Sequence, residues 1–266
     1  CFGVTEPDAG LNTAKIRTRA RREGDAWRIT GRKVWTSTAQ VANRVLLLVR
    51  TSDPAEGAAA TDGLTLFYAD MNPDHVSVSE IPKMGRGAVD TNEVVIEDLP
   101  VPAERLIGEE GQGFRHLLHS LNSERILVAS EAVGIGMSAL GRAAQYARDR
   151  EVFDRPIGMN QSIQHPLAEN WMELEAARLL CQQAAWLYDT GQSVGSAANA
   201  AKYMGAEAGY KACQQAMITL GGMGYANEFH IERLLREAMI PKLAPVSQQM
   251  ILCFIAEKQL GLPKSY

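Results

Sequence analysis

A chain of 266 residues with 46% hydrophobic side chains has apolar material for one large domain or two ordinary ones. A formal charge of −4 and a pI near 5.8 leave no basic footprint for nucleic acid. Cys1, Cys181, Cys213 and Cys253 stand far apart without a CxxC pair, so they read as reduced thiols, not as a disulfide framework or metal site. No targeting segment is visible, and no uninterrupted apolar run reaches the ~18 residues of a membrane span.

From residue 1 to 107, short apolar runs alternate with Gly, Pro, Asp and Asn. The runs at 27–30, 32–36, 45–50, 64–69, 76–81 and 93–96 read as strands of a small antiparallel β-barrel or sandwich. Pro100 and Pro102 then break the chain, and Gly108, Gly111 and Gly113 mark a crossing. After Phe114 the period lengthens. Ile126, Ala129, Val133, Met137, Leu140 and Ala144 form one helical stripe, and a second runs from Ile163 through Leu174 and Cys181 to Tyr188, with Gly191 as its stop. Further helical stretches cover 195–219, 228–238 and 246–260. Strands first and helices afterwards imply a segregated α+β fold: a β domain over 1–107 and an all-α four-helix bundle over 108–266.

Several features admit both a chemical and a structural reading. Gly221-Gly222-Met223-Gly224 would let a backbone approach a phosphate or a ring, or would simply turn between helices; with no strand before it, it is not a dinucleotide fingerprint. His116 and His119 share a helix face, but no carboxylate or cysteine cluster completes a metal site, and they read as surface residues. Glu124, at the head of the first long helix, would favour the positive end of the helix dipole or pair with a neighbouring base. Trp35 in a strand-like run reads as core, and residues 148–151 as a solvated helix end. Separately, none of these identifies an activity.

Together and in this order they resemble the acyl-CoA dehydrogenase family along essentially the whole chain. Phe2-Gly3-Val4-Thr5-Glu6-Pro7-Asp8-Ala9-Gly10 is similar to that family's first flavin-contacting signature. Gly31-Arg32-Lys33-Val34-Trp35-Thr36-Ser37 resembles the strand that lies against the isoalloxazine ring. Leu121-Asn122-Ser123-Glu124-Arg125 resembles the start of the first bundle helix. Arg150-Glu151-Val152-Phe153-Asp154-Arg155-Pro156-Ile157, with Gln161 and Gln164-His165, is similar to the segment that reaches FAD across a subunit interface. Gly221-Gly222-Met223-Gly224-Tyr225 resembles the last signature.

The resemblance implies FAD as cofactor, an acyl-CoA substrate, an electron-transfer flavoprotein as electron acceptor and a homo-oligomer, usually a tetramer, without a membrane span or nucleic acid. Phe2, Val4, Thr5, Gly10, Trp35 and Ser37 would contact flavin within one subunit. Arg150, Phe153, Gln161 and Gly222 would hold the adenine side of a neighbouring subunit's FAD, and Ser247 and Gln249 would also touch the cofactor. Leu11, Asn122 and Arg125 would bind substrate. The implied compartment is cytoplasmic in a bacterium, or the mitochondrial matrix or peroxisome in a eukaryote, and the implied context is fatty acid or amino acid catabolism.

Three departures shape the expectation. The family's N-terminal helical domain would already have ended where this chain starts, at Cys1. Leu11 stands where a Ser commonly follows the first signature. Pro245 occupies the position where many members place the catalytic Glu, and proline has no N–H to offer the thioester oxygen. Isovaleryl-type and long-chain-type members instead carry the base in a Glu-Arg pair on the first bundle helix, which Glu124-Arg125 matches. Glu124 is then the expected base, with burial raising its pKa and Arg125 opposing that shift. The implied reaction is α,β-dehydrogenation to the trans-2-enoyl-CoA. Other flavin chemistry on a CoA ester (enoyl reduction, elimination) and a non-catalytic partner subunit or fragment are the rival readings.

Overall fold

The computed structural model describes residues 1–265, apart from the side chain of His119, and the chain divides into two compact units, Cys1–Ser120 and the residues from Leu121 onward. The sequence places the change of texture at 107/108, thirteen residues earlier. The reason lies in the first long helix, whose opening turns stay with the β unit. A Cβ on Gly113 would come within 2.5 Å of the Leu66 amide nitrogen, and one on Gly108 within 2.2 Å of the His116 ring.

The β unit contains β1 (Phe2–Gly3), β2 (Arg19–Glu23), β3 (Ala26–Ser37), β4 (Arg44–Arg50), β5 (Leu64–Asp70), β6 (Val76–Glu80), β7 (Thr91–Pro102) and β8 (Leu106–Ile107). They form one sheet in the order β6-β7-β3-β2-β4-β5-β8, with β1 added beside β4. Among the described residues the sheet does not close into a barrel, because β6 and β8 end the path without pairing. Nor is it wholly antiparallel: β1 runs parallel to β4, and β2 meets β4 in parallel at Arg19 and Arg50.

The runs 27–30 and 32–36 fuse into the single strand β3. Gly31 allows this by pairing with Ile96 where any Cβ would sit 2.3 Å from Thr18 Oγ1. Pro100 and Pro102 do not end β7; they pair with Arg28 and Ala26. That stretch lies beyond Ile96, where β6 stops, so a missing N–H breaks no ladder on that side. Inward-facing Trp27, Ile29, Leu47, Val49, Phe67, Val94, Ile96 and Leu99 build the core, with Trp27 and Phe67 edge to face at 5.5 Å. Each such side chain contributes roughly 1.5–3 kcal/mol by burial.

The helical unit holds most of α1 (Gly113–Asp149), a hairpin of β9 (Glu151–Val152) and β10 (Arg155–Pro156), α2 (Gln161–Asp189), α3 (Gly195–Leu220), α4 (Gly222–Tyr225), α5 (Ile231–Glu237), α6 (Ile240–Leu243) and α7 (Gln248–Leu260). The stripe of Ile126, Ala129, Val133 and Leu140 is buried with Leu174, Ala177, Cys181 and Ala184 of α2 and Ala198, Ala201, Ala208 and Ala212 of α3. Small residues bring α1 and α3 into backbone contact. A Cβ on Gly209 would lie 2.3 Å from the Ala132 carbonyl oxygen, and one on Gly136 would lie 2.8 Å from Gly209 Cα. One stretch of α1 does have the length and apolar composition of a membrane span, which a reading by uninterrupted runs passes over. Ile126, Ala129, Val133 and Leu140 of that helix are buried in this helical core.

Candidate functional site

In the β unit the candidate site grows from an irregularity in β3. The ladder to β7 pairs Lys33 with Val94 and resumes with Thr36 opposite Asn92. Three steps along β3 therefore match two along β7, which is a β-bulge. Trp35 sits inside it at φ 61° and is 59% exposed, so it is not the core residue that a strand-like run suggests. The bulge turns the indole outward and is pinned downstream: Asn92 Nδ2 donates to the Thr36 carbonyl at 3.0 Å, and the Thr38 amide donates to the Asp90 carbonyl at 3.1 Å. Ser37 is exposed beside it.

The first signature comes to this bulge through its backbone. The Val34 amide donates to the Thr5 carbonyl at 2.9 Å, which sets half-buried Val4 and Thr5 alongside β3. Phe2 is 40% exposed on β1. Gly10 and Leu11 follow the tight turn in which Glu6 and Ala9 exchange backbone hydrogen bonds, and both are exposed.

Glu124 does not head its helix as the sequence suggests, because α1 already begins at Gly113; it lies within the helix, in the helical unit, and is exposed. Enough protein nonetheless surrounds its carboxylate for burial to raise its pKa above the ordinary carboxylate value, against the pull of the adjacent Arg125 guanidinium. Arg125 Nη1 donates to Asn122 Oδ1 at 2.9 Å, while its buried Nε has no hydrogen-bond partner among the described residues. Burial also lowers the Arg125 pKa, with Glu124 opposing. A second cation, Lys202 of α3, is wholly buried and held down to about 8, first by burial and then by repulsion from Arg125. The sequence reading does not include Lys202; its signal was a lysine within an otherwise Ala-rich helical run. Ser247 caps α7, its Oγ accepting from the Met250 amide at 3.3 Å. Gln249 is exposed, whereas its neighbour Gln248 is buried and donates to Glu207.

The remaining candidates surround the end of α1. Residues 148–151 are exposed, as a solvated helix end would be, and Glu151 also begins the β9–β10 hairpin. Its two-residue turn is Phe153-Asp154, both with positive φ (57° and 60°), and it leaves Phe153 93% exposed at the tip. An open cavity of about 600 Å³ is lined by Arg142, Gln145, Tyr146, Asp149, Arg150, Met223 and Phe229. Of the candidate residues only Arg150 lines it. Gly222 is next to Met223, while Gln161 opens α2 and Phe153 lies on the hairpin. Arg142, Gln145 and Tyr146 escaped the sequence reading and Asp149 entered it only as part of a helix end, although their three- and four-residue spacing is that of one helix face. Among the described residues, no group of three or more His, Cys, Asp or Glu side chains is placed to hold a metal ion.

Comparison with known proteins accounts for both units. Residues 1–99 match the profile of the acyl-CoA dehydrogenase middle domain, and residues 111–258 match that of the C-terminal domain. The chain is 40% identical over 274 aligned residues to the acyl-CoA dehydrogenase fadE12 of Mycobacterium bovis, covering 100% of this chain and 68% of the relative. A glutaryl-coenzyme A dehydrogenase solved with glutaryl-CoA superposes with a TM-score of 0.93 at 34% identity, over 99% of this chain and 66% of the other. The butyryl-CoA dehydrogenase of Megasphaera elsdenii gives 0.92 at 30% identity, over 97% and 67% respectively. With both domain profiles matched in order and a relative this similar along the whole of this chain, the chain belongs to the acyl-CoA dehydrogenases, a family of oxidoreductases.

Proposed function

We propose that this chain forms the flavin- and substrate-binding part of an enzyme that desaturates an acyl-CoA thioester between its α and β carbons. FAD is the cofactor in this reading, and an electron-transfer flavoprotein receives the electrons. The observation that carries it is the bulge at Trp35. A bulky aromatic residue held at φ 61° and more than half exposed is a strained arrangement with no packing benefit of its own. It presents a flat apolar face bordered by the hydroxyl-bearing residues Thr5 and Ser37, a donor set that suits a flavin ring. Phe2, Val4 and Gly10 would add further flavin contacts in this reading.

On the helical unit, exposed Arg150 offers a guanidinium fork to a diphosphate, and Phe153 an aromatic face at the tip of its hairpin. With Gln161 and Gly222 they would hold the adenine side of FAD, in a homo-oligomer that of a neighbouring subunit, and Ser247 and Gln249 would add polar contacts. When bound, FAD supplies the acceptor for the β-hydride. Glu124 takes the α-proton onto a carboxylate oxygen, and the burial that raises its pKa makes it a stronger base. Negative charge developing on the thioester oxygen calls for donors, which Pro245 cannot supply from its backbone. Asn122 and Arg125, on the same helix as Glu124, carry donors for the substrate, and Leu11 an apolar contact.

The test is the visible spectrum of the purified full protein during anaerobic addition of a series of saturated acyl-CoAs. The proposal expects bound FAD whose visible band is bleached by at least one of them. A colourless protein would remove it. A flavin that no saturated acyl-CoA bleaches, but whose reduced form an enoyl-CoA reoxidises, would favour enoyl reduction.

A further inference from the structure

Lys33 lies in the interior of β3 with its side chain fully buried, and Glu6 beside it is 5% exposed. Burying an ion pair is expensive, and a well-packed apolar pair would stabilise the unit as well or better. This pair is fully equipped with partners. Lys33 Nζ donates to Glu6 Oε1 at 2.8 Å, to the Val4 carbonyl at 3.0 Å and to the Leu48 carbonyl at 2.7 Å, one acceptor for each of its three protons. Glu6 also accepts from the Thr18 amide at 3.0 Å and, through its other oxygen, from the Arg17 amide at 2.5 Å. Four separate segments (residues 4–6, residues 17–18, β3 and β4) therefore meet on one buried cluster.

What lies next to these anchors is the candidate flavin edge. Thr5 stands between the two residues that Lys33 holds, Val4 and Glu6, and its carbonyl accepts from Val34. Trp35 is two residues after Lys33, inside the bulge whose upstream limit is Lys33 itself. Gly3 is shaped for the same crossing: a Cβ there would sit 2.9 Å from Leu47 Cδ2 and 3.3 Å from Lys33 Cγ.

We propose that the Lys33–Glu6 pair is a positioning device for the flavin edge, fixing Val4 and Thr5 against the Trp35 bulge so that backbone, hydroxyl and indole meet the cofactor in one geometry. The inference rests on the FAD reading above. Neither side chain touches the flavin; both act through Val4, Thr5 and Trp35. Burial lowers the Lys33 pKa to about 8 against the attraction of Glu6, and the fixed carbonyls around it are ligands for a cation.

Three variants of the flavin-bound full protein separate positioning from simple stabilisation. Lys33→Met keeps the apolar stem and removes all three donors. Glu6→Gln keeps the shape and one acceptor oxygen, removes the charge and turns the second oxygen into an NH2 donor. Each leaves a buried partner unpaired and should lower the melting temperature. The double variant has no unpaired charge and should recover much of that loss. The inference expects that the double variant, although its melting temperature recovers, still binds FAD roughly tenfold or more weakly and shows an altered visible circular dichroism per bound flavin. If stability, FAD affinity and flavin dichroism all return together in the double variant, the pair is structural only and the inference is overturned. A parent protein that binds no FAD would instead refute the cofactor reading itself, so the two failures are told apart by the parent.

Discussion

Lys202 Nζ donates to the carbonyl oxygen of Val246 at 2.5 Å, tying the middle of α3 to the segment that follows Pro245 and leads into α7. The ammonium is buried and sits near enough to Arg125 to be repelled by it, so its pKa falls to about 8 in the folded protein from the usual 10.5. Between those two pH values the unfolded chain binds a proton that the folded chain has already released, and stability from this group therefore rises with pH. We expect the unfolding free energy of the parent, minus that of Lys202→Met, to increase from pH 8 towards pH 10. Denaturant titrations at a series of pH values measure it; a flat difference would contradict the burial of the charge.

The contact of α1 with α3 predicts opposite signs for two glycine substitutions. Alanine gains about 1 kcal/mol over glycine in a helix interior. At Gly209 the added Cβ would meet the Ala132 carbonyl at 2.3 Å, and backbone cannot swing aside as a side chain can. Overpacking of roughly 1–3 kcal/mol then outweighs propensity, and Gly209→Ala should lower the melting temperature. At Gly141 on α1 an added Cβ would meet nothing within 4 Å, so Gly141→Ala should be neutral or stabilising by about 0.5–1 kcal/mol. Thermal unfolding of the two variants side by side decides the matter.

Trp35 offers a direct test of strain set aside for function. Its positive φ costs on the order of 1–3 kcal/mol in a bulky residue, and glycine would adopt it without penalty. Because the indole is 59% exposed, little burial is lost with it. Trp35→Gly should therefore leave the melting temperature of the apo-protein unchanged or higher while weakening FAD retention. Parallel loss of both would mean that Trp35 is an ordinary packing residue.

The sequence carried the order of layers and the helix stripes because burial repeats with the period of the element: Ile126, Ala129 and Val133 face inward in α1 as their spacing requires. Strand β2 was not legible, because Arg19-Ala20-Arg21-Arg22-Glu23 buries only Ala20 and alternates without hydrophobic character. The hairpin at Phe153-Asp154 was hidden for another reason. A two-residue turn with positive φ at both positions is normally announced by Asn-Gly, and an exposed phenylalanine there carries no such signal. Lys33 was seen only as part of a motif, since nothing local says that a lysine in a strand will point inward and find three acceptors. Glu124 and Arg125 stand out in the sequence only through the family's alternative position for the base. Lys202 was not, because its relation to Arg125 and Val246 crosses most of the helical unit in sequence.

Flavin reduction by substrate in Glu124→Gln measures the central claim most directly. Glutamine keeps the size and polarity of the side chain and removes the proton acceptor, on a residue whose carboxylate burial holds above its usual pKa. In the flavin-bound protein the variant should retain its FAD content and melting temperature while the rate of flavin bleaching by acyl-CoA falls at least about a hundredfold. Bleaching at close to the parent rate, with flavin content and stability intact, would show that Glu124 is not the base.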